Sequence, residues 1–407
     1  MSALENKEKA STEQIIEKTM RLGARNYNPK EVVAERAEGV IVYDPEGRRY
    51  IDMLSAYSAL NFGHCHPELV AAAKDQLDKV TLTSRAFHNA ILGDFFEKLC
   101  AVTGKSMVLP MNTGAEAVET ALKTARRWGV DKKGVPDGQQ EIIVCENNFH
   151  GRTTTIVSMS TDPVAKRAYG PFTPGFKIIK FGDAAALEEA VTKNTVAFLV
   201  EPIQGEAGVL VPPAGYLKQV REVCTKFNIL FIADEVQTGF ARTGKMFACQ
   251  HEDVVPDIYV LGKALGGGIL PVSAIAADKE ILGVFEPGSH GSTFGGNPLA
   301  AAVAIKALEI LERDNYAQMA EEKGVYFFNK LKLIENDEIV SIRGKGLSIG
   351  MEFSVDAAPY VKNLIKAGVL AKETHEHTIR FAPPIIISYE ELDEACAIIS
   401  KVLSKPK

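Results

Sequence analysis

Residues 230–268 read LFIADEVQTGFARTGKMFACQHEDVVPDIYVLGKALGGG. The segment holds two short apolar runs, Ile229 to Ala233 and Ile258 to Leu261, both rich in β-branched or aromatic residues. Runs of this length and composition predict central strands of a parallel sheet, buried on both faces. Each run stops abruptly, with Asp234 following the first and Lys263 the second. Open α/β sheets bind ligands beyond the carboxyl ends of their strands, so an acid and an amine are expected to face one crevice. That pair suits a pyridine-ring cofactor. A lysine condenses with an aldehyde, and a carboxylate keeps the pyridine nitrogen protonated so that the ring accepts electrons. An Asp or Lys after a strand is more often a solvated loop residue, and the reading rests on the whole segment.

Working outward, the strand–helix–strand rhythm continues on both sides. Ile142 to Glu146 and Val196 to Val200 read as further buried strands, and Leu217, Val220, Val223, Cys224 and Phe227 share one face of the helix that leads to Asp234. This alternation marks a parallel α/β sheet with right-handed crossovers. In MNTGAEAVETALKTARRWG, Val118, Ala121, Leu122, Ala125 and Trp128 fall at helical spacing, and Thr113 with Glu116 forms a capping box. The helix therefore starts near Gly114, where bare backbone N–H groups and the dipole could receive a phosphate. A plain capped helix explains the same pattern. In NNFHGRTT, Phe149 stands three residues before Arg152. An aromatic ring can stack on a planar ligand and an arginine can grip a carboxylate with two bonds.

The ends of the chain read differently. Residues 11–22 predict a short amphipathic helix, and Gly39 to Tyr43 with Arg48 to Met53 a hairpin around Pro45-Glu46-Gly47. Pro67 opens a helix. Ala300 to Glu312 is helical, Ile339 to Arg343 and Leu347 to Phe353 pair as strands, Arg380 stands beside an apolar strand, and Ser388 with Glu391 caps a last helix. The expected organisation is an N-terminal segment (1–57), a large cofactor domain (58–300) and a smaller α+β domain (301–407).

Composition narrows the class. The chain has 407 residues, 46% hydrophobic and 24% charged, with a net charge of −6. An acidic balance argues against a nucleic-acid or anionic-membrane surface. No apolar run approaches the roughly 20 residues that span a bilayer. The N-terminal MSALENKEKASTEQ has neither an apolar core nor a cleavage pattern. The six cysteines are scattered without a CxxC pair, as in a reducing compartment. The expectation is a cytoplasmic protein with no membrane or nucleic-acid partner.

Three motifs fail on context. Gly239 to Lys245 spells GxxxxGK, but Met246 follows where a P-loop needs a hydroxyl. Gly346 to Gly350 spells GxSxG, but a strand, not a helix, follows Ser348. The GxG begun by Gly344 and Gly346 lacks a correctly placed third glycine. The pairs His64/His66 and His375/His377 lack a third ligand, so no metal site is expected.

The segment from Leu230 to Gly268 resembles the signature of the class III (ω-amino acid) aminotransferases, pyridoxal-phosphate enzymes of fold type I. The resemblance extends over roughly Tyr27 to Pro384 through ARNYNP, LSAYSALNFGHCHP, TLTSRAFHNAILG, LPMNTGAEA, VEPIQGEAGV, HGSTFGGNP and IRFAPP. Tyr27 and Tyr57 make the chain most similar to the ornithine-using branch rather than to the acetylornithine or 4-aminobutyrate branches. The resemblance implies that Lys263 carries pyridoxal 5'-phosphate and later moves the proton. It implies that Asp234 pairs with the ring nitrogen, Gln237 meets the ring hydroxyl and Phe149 stacks on the ring. Gly114 and Ala115 would bind the phosphate, with Thr293 reaching in from a partner subunit of a homodimer. Tyr27 and Arg152 would hold the α-carboxylate of ornithine, and Tyr57 would shape the pocket. Arg380 would bind the α-carboxylate of 2-oxoglutarate and Arg152 its far carboxylate, with Glu206 covering Arg380 during the ornithine half-reaction.

Overall fold

The computed structural model describes residues 10–404. Most of the N-terminal stretch read above for an export signal lies outside them. Near the N-terminus, strands β1 (Arg36–Glu38), β2 (Ile41–Tyr43) and β3 (Arg49–Asp52) form an antiparallel meander. The centre of the molecule is a sheet of β4 (Met107–Met111), β5 (Glu141–Cys145), β6 (Phe176–Ile179), β7 (Thr195–Val200), β8 (Leu230–Asp234), β9 (Ile258–Leu261) and β10 (Ser273–Ala277). Its order is β4-β10-β9-β8-β7-β5-β6. Strands β5 to β9 pair in parallel, and only β10 runs against its neighbours β4 and β9.

The two strands predicted from the opening segment are thus neighbours in the middle of the sheet. Every residue of β7, β8, β9 and β10 is buried, as continuous apolar runs require when both faces are covered. Alternate residues serve the two faces. Ile232, Val260 and Leu199 pack with Val118 and Leu122 of the helix Gly114–Asp131. Phe231, Phe198 and Ile143 pack with Val220 and Cys224 of the helix Tyr216–Lys226. A fully buried aliphatic or aromatic side chain contributes roughly 1.5–3 kcal/mol, so these two layers hold the strand ends rigidly in register.

The C-terminal part builds a second sheet from β11 (Ile339–Lys345), β12 (Ser348–Phe353), β14 (Lys372–Thr374) and β15 (Thr378–Phe381), antiparallel in the order β11-β12-β15-β14. Strand β13 (Val369–Leu370) instead joins β3 in parallel, so N-terminal and C-terminal segments share a sheet. The arrangement is the expected α/β fold, a large mostly parallel sheet with a smaller α+β unit. The boundary expected between residues 300 and 301 falls inside the helix Pro298–Arg313.

The rejected GxxxxGK stretch has a structural use. Phe240 and Ala241 adopt φ of 56° and 75°, which turns the chain sharply and buries Arg242 completely. Its guanidinium donates to Leu347 O at 3.0 Å, Pro383 O at 2.6 Å and Asn61 Oδ1 at 2.5 Å. One arginine thereby ties the N-terminal, central and C-terminal parts together. Ser348 opens β12, so no nucleophile elbow forms.

Candidate active site

The carboxyl ends of β4, β5, β7, β8 and β9 open onto one pocket, and each delivers a side chain or backbone group to it. Asp234 is the last residue of β8 and is buried. Its Oδ1 accepts the Val236 N–H at 3.1 Å, and its Oδ2 lies 2.6 Å from His150 Nδ1. A carboxylate can only accept here, so Nδ1 carries the hydrogen. Burial opposes charge on His150, but the bond and charge of Asp234 outweigh it and raise the imidazole pKa. Lys263 follows β9 with φ of 44°, a costly conformation for a non-glycine residue and one that concentrates at functional sites. Burial and the neighbouring Arg380 push its amine down to about 8, against the pull of Glu206 and Asp234.

Glu206 and Gln237 line another side of the pocket, and Arg380 lies behind them, outside the lining. Arg380, on β15, is 2% exposed. Its Nη1 donates to Glu206 Oε1 at 2.7 Å and lies 3.4 Å from Gln237 Oε1, while Gln237 Nε2 donates to Glu206 Oε1 at 3.2 Å. Burial would raise the Glu206 carboxyl, but Arg380 and Lys263 outweigh it and hold it at about 2. The buried Arg380 Nε has no partner among the described residues. Tyr57 covers this arginine, with its ring centroid 4.9 Å from Arg380 Cζ. Ser55, Ala56, Tyr57 and Ser58 all have positive φ. Single left-handed residues are the norm, and a run of four is strained.

At the far end, Gly114 lines the pocket at the start of its helix, and Thr113 and Glu116 make the predicted capping box. The box uses the N–H groups of Thr113 and Glu116, not those of Gly114 and Ala115. A Cβ at Gly114 would sit 3.1 Å from Val236 Cγ1, so glycine keeps this corner open. Ser292 Oγ accepts from Asn112 Nδ2 at 3.0 Å, which brings the GST loop beside the helix start, while Thr293 is exposed. Phe149 lines the pocket, 38% exposed, with Arg152 Cζ 5.4 Å from its ring centroid. Tyr27 stands apart, 70% exposed and outside the lining. Gln237, expected against a ring hydroxyl, here bridges Glu206 and Arg380.

Two ionisable lining residues escaped the sequence reading, His150 and Glu201, as did Ile203, Val236 and Thr238. Glu201 directly follows the end of a buried strand, the same signal that singled out Asp234, whereas His150 stands five residues beyond β5 and carries no such signal. The whole set is a narrow slot with an acid backed by histidine, a low-pKa amine, apolar walls from Phe149 and Val236, and a helix N-terminus. It can hold a flat, phosphorylated pyridine. Among the described residues no cluster of three or more His, Cys, Asp or Glu could hold a metal, and no helix is long and apolar enough to cross a membrane.

Residues 22–403 match the family model of class-III aminotransferases. The chain belongs to the class III aminotransferases. This class III chain is 61% identical over 394 residues to the ornithine aminotransferase of Brevibacillus brevis, covering 97% of this chain and 99% of that one. The ornithine aminotransferase of Toxoplasma gondii, solved with partial occupancy of PLP at its active site, superimposes with a TM-score of 0.95 at 42% identity over 97% of this chain and 94% of that one. The acetylornithine aminotransferase of Elizabethkingia anophelis gives 0.89 at 48% identity, covering 97% and 99%.

Proposed function

We propose that this class III aminotransferase uses pyridoxal 5'-phosphate to move the δ-amino group of L-ornithine to 2-oxoglutarate. The products are glutamate and glutamate 5-semialdehyde, which cyclises to pyrroline-5-carboxylate, and the reaction serves arginine breakdown or proline synthesis. When bound, the cofactor supplies an aldehyde that takes up amines and a pyridinium ring that accepts the electron pair left by a departing proton. Asp234, held by His150, is the acceptor for a protonated ring nitrogen. Gly114 and Ala115 offer N–H groups to the phosphate, and Phe149 and Val236 exclude water from the ring. Lys263 Nζ would hold the cofactor and would then take the proton from the amine-bearing carbon of the donor and deliver it to the cofactor, a role that an amine with a pKa of about 8 fits near neutral pH.

The observation that carries the ornithine reading is the pair of the buried Arg380 with the half-buried Glu206, 2.7 Å apart. One pocket must accept a substrate with a distal amine and then one with a distal carboxylate. An open arginine would seize ornithine by its α-carboxylate and present the wrong amine. Glu206 neutralises Arg380 in that half-reaction, while Tyr27 and Arg152 hold the α-carboxylate and Tyr57 shapes the pocket. A dicarboxylate replaces Glu206 in the other half, with Arg152 taking its far carboxylate.

The reading includes a cytoplasmic homodimer in which the exposed Thr293 completes the partner's phosphate site. It also treats residues 1–57, 58–300 and 301–407 as the functional segments. Transfer from N-acetylornithine is the second reading, favoured by the 48% identity to the Elizabethkingia enzyme. Purified protein with cofactor and 2-oxoglutarate is given either donor, and glutamate and trapped pyrroline-5-carboxylate are followed. Turnover of ornithine far above N-acetylornithine supports the proposal, and the reverse preference replaces it with the second reading.

A further inference from the structure

Glu201, the first residue after β7, is 6% exposed. A buried carboxylate is costly and persists where its bonds matter. Its two oxygens accept backbone N–H groups from two different segments, one at the lining residue Phe149 and one at Gly205, which precedes the lining residue Glu206. Oε1 takes the Phe149 N–H at 2.9 Å, and Oε2 takes the Gly205 N–H at 3.3 Å. Phe149 is the aromatic wall. Gly205 immediately precedes Glu206, and a Cβ on it would overlap Gln237 Oε1. The backbone of the same short loop is held from the other side. Thr374 Oγ1 donates to Glu206 O, and Arg343 Nε donates to Gly208 O at 3.0 Å. A carboxylate is a rigid planar group, so it sets the two N–H groups relative to one another.

We propose that Glu201 is a positioning residue that fixes the Phe149 wall and the Gly205–Glu206 backbone together, so that only the Glu206 side chain moves between the half-reactions. The inference rests on Glu206 acting as the cover of Arg380. The electrostatics are consistent with a strained but specific carboxylate. Burial and the Asp234 charge push its carboxyl up to about 7, while His150 and the two N–H groups oppose them.

The test uses cofactor-loaded Glu201→Gln, with Glu206→Ala and the double variant alongside. An amide offers one acceptor oxygen and turns a donor on the other N–H. The ratio of kcat/KM for ornithine to that for glutamate then falls about tenfold, the effect of leaving one buried donor unsatisfied. The visible circular dichroism of the bound cofactor changes in the same variant, because its wall has moved. In the Glu206→Ala background the substitution still changes the dichroism but no longer moves the ratio. Glu201→Asp, which keeps the charge but is too short to span both N–H groups, shifts both readouts in the same direction and covers the case in which the glutamine variant does not fold. Wild-type dichroism and ratio in a folded Gln or Asp variant would overturn the inference, as would a ratio change that persists undiminished without Glu206. A Glu206→Ala variant with an unaltered ratio would instead overturn the reading of Glu206 itself.

Discussion

Replacing Glu206 by alanine uncovers Arg380, and the structure sets the size of the consequence. Arg380 is 2% exposed and loses its acceptor at 2.7 Å, keeping only the weaker Gln237 contact at 3.4 Å. A charged hydrogen bond of this kind contributes roughly 1.5–3 kcal/mol. At about 1.4 kcal/mol per factor of ten, the freed guanidinium favours a competing carboxylate by about ten- to a hundredfold. The Glu206 side chain is 28% exposed, so solvent screening places the effect toward the lower end. The donor ratio, kcat/KM for glutamate over kcat/KM for ornithine, should rise by that factor. Single-turnover absorbance of the bound cofactor with each donor measures it. Glu206→Gln retains an acceptor without the charge and should fall between wild type and alanine. A donor ratio unchanged in Glu206→Ala would refute the argument that Glu206 masks Arg380.

Other consequences follow from the same geometry. Gly205→Ala should lower ornithine turnover more than cofactor affinity, because the added Cβ displaces Gln237 from the Arg380–Glu206 pair; steady-state kinetics and a cofactor titration separate the two. The Lys263 amine sits at about 8 rather than the ordinary 10.5, so its reactive free base grows as pH rises through 8 and is lost as pH falls below it. The rate at which the cofactor-free protein takes up pyridoxal phosphate should therefore rise with a midpoint near 8, and a midpoint near 10.5 would remove the argument for a desolvated lysine. Arg242→Met should destabilise the fold by about 3 kcal/mol or more, since it strands three buried acceptors; urea unfolding monitored by circular dichroism checks this.

The central strands were legible because burial on both faces leaves an unbroken β-branched run, as in Phe231-Ile232-Ala233 and Tyr259-Val260-Leu261. Where such a run ends, polarity returns suddenly, and Asp234 and Lys263 stand at those ends. The helix starting at Gly114 and the last helix after Ser388 were legible from their capping boxes, a local signal that the structure repeats bond for bond. Strand β10 was not, because SAIAA is short and alanine-rich and its reversed direction is decided only by the sheet it enters. Arg242 was met as part of a failed phosphate motif, since its acceptors on Asn61, Leu347 and Pro383 lie far off in sequence. His150 went unseen because a histidine beside Phe149 has no meaning until β5 and β8 bring it against Asp234. Tyr27, expected at the substrate, stands 70% exposed and outside the pocket lining in the single chain.

The central claim is that the pocket presents the distal amine of ornithine, not the α-amine, to the cofactor. Ornithine labelled with nitrogen-15 at either the δ or the α position tests this directly, with 2-oxoglutarate as acceptor and the label followed into glutamate by mass spectrometry. The arrangement of Glu206, Arg380 and Lys263 predicts that the δ label enters glutamate while the α label stays with the ornithine-derived product. Transfer of the α label would mean that Arg380 receives ornithine uncovered, and would contradict the account.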